Sequence, residues 1–185
     1  SDATVLLWDI PSADDLDLLA SQPNTPTPYV TSLDFSPDGA TLLSSCVDHL
    51  VTLWNLDTGH YEQLEGHDRS IWGTAISRDG RLLATGDLGG TVRIWDVEKR
   101  TQLAQFTRHR GTVLTTAFTP DGRTLASAGG HGEVRIWDVR MRKETRAFDY
   151  FIGETIHSSA FSPDGALLLL GCGDGSVRSI ELADA

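Results

Sequence analysis

The stretch FSPDGATLLSS, residues 35–45, joins a turn to an apolar strand, and the chain repeats it three more times. The further copies are ISRDGRLLATG (76–86), FTPDGRTLASA (118–128) and FSPDGALLLLG (161–171). Pro presets φ at the second position of a type I turn, Asp suits the third, and Gly accepts the positive φ where the next strand begins. One copy has Arg78 in place of Pro, which a type I turn tolerates. Each copy therefore predicts a β-hairpin.

Two landmarks repeat with the same period. The Asp-Gly pairs of the turns begin at residues 38, 79, 121 and 164, with steps of 41, 42 and 43. Trp8, Trp54, Trp95 and Trp137 close similar short runs at steps of 46, 41 and 42, and Ile180 takes that place 43 residues later. Such self-similarity is the signature of a repeat architecture.

One unit, residues 66–106, shows what is repeated. Four short runs alternate with turns, and they predict strands near Ile71–Ser77, 81–87, 91–97 and 101–106. A lone four-stranded antiparallel sheet cannot bury both of its faces. Copies stacked around an axis do so, with only short edges left open.

These features resemble those of WD-repeat β-propellers over essentially the whole chain. The resemblance rests on the period, on Gly66-His67 before a first strand, on SPDG between the first two strands, and on Trp-Asp closing the third. It implies an all-β fold with blades of four antiparallel strands, a little over four of them. The expected units are 1–20 (partial), 29–65, 66–107, 108–150 and 151–185 (partial).

The strand count leaves the ring open. The chain begins with predicted third and fourth strands, Thr4–Ile10 and Leu16–Ala20, and ends with three strands near Ile156–Ser162, Ala166–Cys172 and Val177–Leu182. In this family an N-terminal fourth strand usually completes the C-terminal blade. We therefore expect the C-terminal part of a larger, seven-bladed propeller. The alternative is a short chain that pairs its open edges with another copy of itself.

The resemblance also implies a hydrogen-bonded relay in each blade. It runs from the His of the Gly-His pair, through a Ser or Thr on the second strand and an Asp in the next turn, to the Trp. The implied relay residues are His67, Thr85 and Trp95; His109, Ser127 and Trp137; Ser44, Asp48 and Trp54; and Asp174. The Asp position falls on Gly89 and His131 in two units, and the His position falls on Pro26 in another. No unit is therefore expected to hold a complete relay.

Composition narrows the classes of partner. The formal net charge of −11 disfavours binding to phosphate backbones, so no nucleic acid partner is expected. The longest apolar run, residues 166–171, is far too short to span a bilayer, and no membrane partner is expected. Cys46 and Cys172 make no disulfide framework and fit a reducing cytosol, so a cytoplasmic location is expected. The excess of Arg over Lys favours a bacterial source.

The sequence pattern does not predict a set of nucleophile, acid and base residues that would meet at one catalytic site. The run CVDH, residues 46–49, holds nucleophile, acid and base types, but neighbours on a strand point to opposite faces. Cys46 and Cys172 occupy one place in two units, where Asp87 and Gly129 stand in the others, which indicates a small buried slot. We predict no catalytic residue, no metal site, no cofactor and no enzymatic activity.

One basic run, RMRKETR at residues 140–146, falls between a third and a fourth strand. A solvated turn and a docking patch for an acidic partner both explain it.

Aligning the units with one another singles out a set of binding candidates. The residue after the leading apolar position of each first strand lies, by the resemblance, beside the central opening. The set comprises Thr31, Trp72, Leu114 and His157, preceded in two units by Arg69 and Arg110, which would frame an acidic group. The predicted function is a scaffold that binds a protein or peptide on this face. The alternatives are a C-terminal sensory or regulatory module of a larger kinase or NTPase, and an enzyme that uses the channel.

Overall fold

The computed structural model describes residues 29–149 and 153–182. The strands predicted at 4–10 and 16–20, and the relay position at Pro26, lie outside these residues. Fifteen strands run through the described part of the chain: β1 Val30–Phe35, β2 Thr41–Cys46, β3 Val51–Asn55, β4 Tyr61–Leu64, β5 Ile71–Ile76, β6 Leu82–Asp87, β7 Val92–Asp96, β8 Thr101–Phe106, β9 Val113–Phe118, β10 Thr124–Gly129, β11 Val134–Asp138, β12 Lys143–Phe148, β13 Ile156–Phe161, β14 Leu167–Cys172 and β15 Val177–Glu181.

The strands form four antiparallel sheets, each in simple sequential order. Blade 1 is β1-β2-β3-β4, blade 2 is β5-β6-β7-β8, blade 3 is β9-β10-β11-β12, and blade 4 is β13-β14-β15. Each first strand carries a register shift near its start, where Trp72 is skipped between the pairs Ile71↔Asp87 and Gly73↔Gly86 in blade 2. The prediction of an all-β chain built from four-stranded antiparallel blades is confirmed.

The four repeated turns have the predicted chemistry, and a hydroxyl adds to it. Gly39, Gly80, Gly122 and Gly165 have φ between 69° and 76°, and each donates its N–H to the carbonyl three residues earlier. The first turn residue, Ser or Thr, also donates its hydroxyl to the turn Asp, as Ser77 does to Asp79 at 2.6 Å. This bond is the main cause that holds the pKa of Asp79 below its usual value. The Arg78 copy keeps the same turn.

Apolar side chains fill the space between successive blades. Leu43 and Leu53 of blade 1 pack with Ile71 and Leu83 of blade 2. Two further clusters join blade 2 to blade 3, around Phe106 and Leu125, and blade 3 to blade 4, around Ile136 and Leu168. Each blade therefore covers one face of the next, which is how the fold removes from water the apolar surface that a single sheet would leave exposed.

Hydroxyl pairs bridge the innermost strands at two of the three blade junctions. Thr74 Oγ1 lies 2.6 Å from Ser32 Oγ, and Thr115 Oγ1 lies 2.9 Å from Ser159 Oγ. Between blades 2 and 3 the equivalent strand positions are Gly73 and Thr116, and glycine has no hydroxyl to complete a pair. A Cβ at position 73 would lie 3.0 Å from three backbone atoms of Thr115, so the close approach of β5 and β9 favours glycine there.

Candidate partner-binding site

The second residue of each inner strand contributes to one shared groove. Thr31, Trp72, Leu114 and His157 come from four different blades, and together they line a space of about 540 Å³. The remaining lining residues are Ser32, Gly73, Thr74, Thr115, Thr116, Ser158 and Ser159. The structure thus brings together the four inner-strand candidates in a groove whose described walls carry hydroxyl, aromatic and aliphatic groups and no Asp, Glu, Lys or Arg.

Trp72 is the largest side chain of this groove and stays 42% exposed. The register shift at the start of β5 leaves Trp72 without a cross-strand partner in β6, so its indole stands at the rim of the sheet. Thr31 lies across the junction of blades 1 and 2 from Trp72, and its hydroxyl oxygen is 2.5 Å from the carbonyl oxygen of Ile71 and 3.0 Å from that of Ser45. The groove therefore combines a solvent-facing aromatic plate with fixed polar groups.

The two arginine candidates do not line the groove. Arg69 is exposed, and its aliphatic stem lies close to Gly89. Arg110 is also exposed, and its Nε atom lies 3.5 Å from a carboxylate oxygen of Glu133, whose other oxygen accepts the backbone N–H of Arg110. Both arginines stand on the loops that precede the first strands, so the prediction that they frame a partner's acidic group stays a prediction.

Blade 2 also contains a complete buried relay of hydrogen bonds. His67 Nδ1 lies 2.6 Å from Asp87 Oδ2, and His67 Nε2 lies 2.7 Å from Thr85 Oγ1. Trp95 donates its indole N–H to the same hydroxyl at 2.9 Å. The expectation that no unit completes the relay is therefore wrong for residues 66–107. Its carboxylate comes from the end of β6 instead of from the turn position occupied by Gly89.

Asp87 also closes the turn that follows β6. One carboxylate oxygen accepts the backbone N–H groups of Gly89 and Thr91, each at 2.9 Å. Burial alone would raise the pKa of Asp87, but the bonds from His67, Thr91 and Gly89 outweigh burial and hold that pKa below its ordinary value. The relay thus ties the loop before β5 to the turn after β6, and the short segment that leads to Trp72 starts from this anchored loop.

Blade 3 has the serine, histidine and tryptophan bonds of this relay, but no acid bonds its histidine among the described residues. Ser127 Oγ lies 2.7 Å from His109 Nε2 and accepts the indole N–H of Trp137 at 2.8 Å. Glu133, which is buried, has an oxygen 3.5 Å from His109 Nδ1, too far for a good hydrogen bond. Burial, reinforced by the positive charge of Arg135, lowers the pKa of His109 to about 3. The imidazole of His109 is therefore neutral in the folded protein at pH 7.

The two remaining blades keep only parts of the relay. In blade 1, Trp54 donates its indole N–H to Ser44 at 2.8 Å, while Asp48 accepts the backbone N–H of Leu50 and has one buried oxygen without a partner among the described residues. In blade 4, Asp174 is exposed and bonds Ser176 and Arg178 within its own turn. Those bonds, chiefly from Ser176, lower the pKa of Asp174 to about 2.

The buried slot at the end of the second strands holds both cysteines. Cys46 and Cys172 are buried free thiols, and they occupy in blades 1 and 4 the place that Asp87 has in blade 2. Burial, with a smaller contribution from the charge of Asp48, raises the pKa of the Cys46 thiol to about 11. The described residues contain no group of three or more His, Cys, Asp or Glu placed to hold a metal ion, and no helix among them is suited to crossing a membrane.

Sequence reasoning missed two acidic residues that the structure places against the relay histidines, Asp87 and Glu133. Both lie outside the turn position that the family pattern reserves for Asp. The signal for Asp87 was present in the internal alignment, because a charged residue stood in a slot that holds Cys or Gly in the other units. No comparable signal marked Glu133, which contacts His109 only because the Gly-rich turn at Gly130–Gly132 brings it there.

Comparison with known proteins agrees with this architecture. The family model described as "WD domain, G-beta repeat" matches residues 18–55, 60–96, 100–138 and 150–180. The chain therefore belongs to the WD-repeat family, whose propeller fold generally serves interaction and not catalysis.

Individual relatives match shorter stretches. Apoptotic protease-activating factor 1 of Mus musculus is 36% identical over 83 residues, which are 45% of this chain and 7% of that protein. The Rattus norvegicus form gives the same values. Mitochondrial division protein 1 of Pyricularia oryzae is 38% identical over 71 residues, which are 38% of this chain and 10% of that protein. The matches therefore span only a small part of these relatives' length.

Proposed function

We propose that this chain is a scaffold that binds a protein or peptide partner, with the groove around Trp72 as its recognition surface. The main observation in support is that Trp72, the largest side chain of the groove, is 42% exposed although Ile71 and Gly73 on either side of it are buried. A half-exposed Trp surrounded by small polar groups has the composition of an interface hot spot, in which an aromatic anchor carries most of the binding energy.

Preorganisation is the proposed mechanism. The relay His67–Asp87 fixes the loop before β5, and the hydroxyl pair Ser32–Thr74 fixes β5 against blade 1. A partner would therefore meet Trp72 in a position that requires little further ordering, which reduces the entropic cost of binding. Because no Asp, Glu, Lys or Arg lines the described walls of the groove, we expect an uncharged or amphipathic segment in preference to a long polyanion.

The test starts from peptides selected on the immobilised chain from a random peptide display library. Their affinities are then measured for the wild-type chain and for Trp72→Ala. We expect Trp72→Ala to weaken binding about 30-fold, since truncation of a hot-spot Trp typically costs about 2 kcal/mol or more.

Tyr61→Ala is the matched control. Tyr61 is an aromatic residue of nearly equal exposure, 44%, on the outermost strand of blade 1. Its replacement should leave the selected peptides bound as before, with folding checked by the unfolding midpoint because Tyr61 contacts Trp54. Equal losses in both variants, or none in Trp72→Ala, would refute the groove as the recognition surface.

A second candidate is a regulatory or sensory module within a longer signalling protein. The observation that favours it is the comparison itself, because in the mouse relative the matched repeats are a small part of a chain whose name describes activation of a protease. The reading frame around this sequence tests it: a kinase or NTPase motif in the same chain supports the regulatory module, and its absence from the full-length protein contradicts it.

The proposal places the protein in the cytoplasm and assigns it no enzymatic activity. Two buried free thiols support a reducing compartment. The groove hydroxyls of Thr31 and Thr115 bond the hydroxyls of Ser45 and Ser159, and a hydroxyl is not the general base that would activate a nucleophile.

A further inference from the structure

We propose a second docking surface, the β11–β12 turn of blade 3, which binds a short acidic segment containing an apolar residue. The turn presents Arg140, Met141, Arg142 and Lys143, all of them exposed, with Met141 at 62%. The three cationic side chains form no ion pair or hydrogen bond with any residue that the structure describes. This surface is separate from the Trp72 groove, and its residues do not line that groove.

The equivalent turn of blade 2 shows what the fold itself requires. There Lys99 pairs with Asp96 at 3.3 Å and Arg100 with Glu62 at 2.7 Å. Aligned on the preceding Trp, Arg140 replaces Glu98, Met141 replaces Lys99, and Lys143 replaces Thr101. A turn whose charges are paired within blade 2 and with blade 1 is thus sufficient for the blade, whereas blade 3 has cations without ion pairs among the described residues around a thioether.

Arg142 is a costly choice for stability alone. Its φ is +53°, in the left-handed region, and the same position in blade 1 is Gly59 with φ +70°. Glycine takes this conformation without the steric penalty that other residues incur. Arg100 shares the penalty in blade 2 but gains an ion pair, whereas Arg142 gains no ion pair among the described residues. An unrewarded, strained residue at an exposed position is characteristic of a binding site.

A side chain nevertheless holds the backbone of the turn. Asp138 accepts the backbone N–H of Met141 at 2.6 Å, which fixes the turn at its centre. Guanidinium groups bind carboxylates in a bidentate fashion, and the flexible, polarisable Met side chain adapts to apolar partners. The chemistry presented is therefore two guanidinium groups and one ammonium group around an apolar contact, which matches alternating acidic and apolar residues.

A short segment suits the surface better than an extended polyanion. The chain has a net charge of −11, so a membrane or a nucleic acid duplex would meet repulsion over most of the protein. Screening restricts the attraction of the turn to about 10 Å at ordinary salt, a range that a peptide of a few residues fills. The proposal accordingly commits to an acidic peptide.

Fluorescence anisotropy with a labelled synthetic peptide of alternating Glu and Leu tests the proposal, with a Gln and Leu peptide as the uncharged counterpart. We expect wild type to bind the Glu peptide and not the Gln peptide, and to bind it more weakly as NaCl is raised. The triple variant Arg140→Gln/Arg142→Gly/Lys143→Gln should weaken binding about tenfold, since three surface ion pairs of modest strength are lost together.

Three controls separate binding from folding and from the first surface. Lys99→Gln/Arg100→Gly in the blade 2 turn should bind as wild type does. Arg142→Gly alone should weaken binding while its thermal unfolding midpoint stays equal to or above that of wild type. Trp72→Ala should leave binding of the Glu peptide unchanged, so failure of the groove proposal and of this one can be told apart.

The proposal is overturned if the Glu peptide does not bind, if the Gln peptide binds equally well, or if the blade 2 variant loses as much affinity as the triple variant. It is also overturned if phosphatidylserine vesicles or duplex DNA bind the same three cations more tightly than the peptide does.

Discussion

His67 and Asp87 lie 2.6 Å apart, from Nδ1 to Oδ2, and both side chains are almost fully shielded from solvent. His67 belongs to the loop before β5 and Asp87 to the end of β6, so their bond closes the corner of blade 2 beside the groove. Further bonds extend this contact into the strand and the core. Asp87 accepts from His67 Nδ1, His67 Nε2 contacts the Thr85 hydroxyl at 2.7 Å, and that hydroxyl oxygen accepts the indole N–H of Trp95. Loop, strand and core are thereby joined by a single polar chain.

Asp87→Ala should lower the free energy of unfolding by about 3 kcal/mol, because buried His67 and two partly buried backbone N–H groups lose their acceptor together. His67→Ala should cost less, since it leaves the turn bonds of Asp87 in place. Urea denaturation of both single variants and the double variant measures the coupling, which we expect to be about 1 kcal/mol or more. If the destabilisation of the double variant equalled the sum of the two single variants, the bond between His67 and Asp87 would contribute no coupling energy.

The relay also shows how far sequence could carry the prediction. The His, Ser or Thr, and Trp positions repeat at one period, so blades 2 and 3 could be aligned and their partners anticipated. The acid could not, because Asp87 bonds His67 from the end of a strand, whereas Glu133, beyond a Gly-rich turn, stays 3.5 Å from His109. The backbone geometry of the turns decides which carboxylate lies near the histidine. The spacing of the repeats alone does not predict which carboxylate that is. The four groove residues could be selected together because they share a strand position, whereas Arg69 and Arg110 lie on the preceding loops and do not line the groove.

The low pKa of His109 predicts that the folded protein loses stability as the pH is lowered. Its pKa is about 3 in the folded protein against 6.5 in the unfolded chain, so between these values the unfolded chain binds a proton that the folded protein does not. The stability contributed by neutral His109 is fully present above pH 6.5 and is lost as pH falls towards 3. At pH 5 the loss should be about 2 kcal/mol relative to pH 7.

His109→Gln removes the titrating group and keeps a side chain able to bond Ser127. Urea denaturation at pH 7 and pH 5 should therefore show a smaller pH-dependent loss in this variant, by about the same 2 kcal/mol. His131→Gln is the control, because His131 is exposed, and its pH dependence should match that of wild type. If His109→Gln lost as much stability between pH 7 and pH 5 as wild type does, a residue other than His109 would be the cause of the acid sensitivity.

Arg78→Pro should stabilise the protein by about 0.5 to 1 kcal/mol. The other three copies of the turn have Pro37, Pro120 and Pro163 at this position, and the Arg78 copy has the same Ser77 carbonyl to Gly80 N–H bond at 2.8 Å. Proline restricts the unfolded chain and fits the φ of a second turn position, so the folded state loses nothing. Thermal unfolding measures the gain. A lowered midpoint would mean that this turn differs from its three relatives.

Thr115 and Thr116 are neighbours in β9, but replacing each by Val should change the free energy of unfolding differently. Thr115 Oγ1 pairs with Ser159 across the junction of blades 3 and 4. Thr116 Oγ1 is buried without a partner among the described residues, because Gly73 stands where the other junctions supply a Ser or Thr. Thr115→Val should cost about 1 kcal/mol, since it leaves Ser159 unpaired.

Thr116→Val should be neutral or stabilising by up to about 1 kcal/mol, because Val has nearly the same shape and removes a buried hydroxyl that bonds nothing. Both variants keep a β-branched side chain in a strand, so propensity does not separate them. Urea denaturation of the two variants side by side provides the comparison. If Thr116→Val proved as costly as Thr115→Val, the prediction would be contradicted. The Thr116 hydroxyl would then have a hydrogen-bond partner between blades 2 and 3.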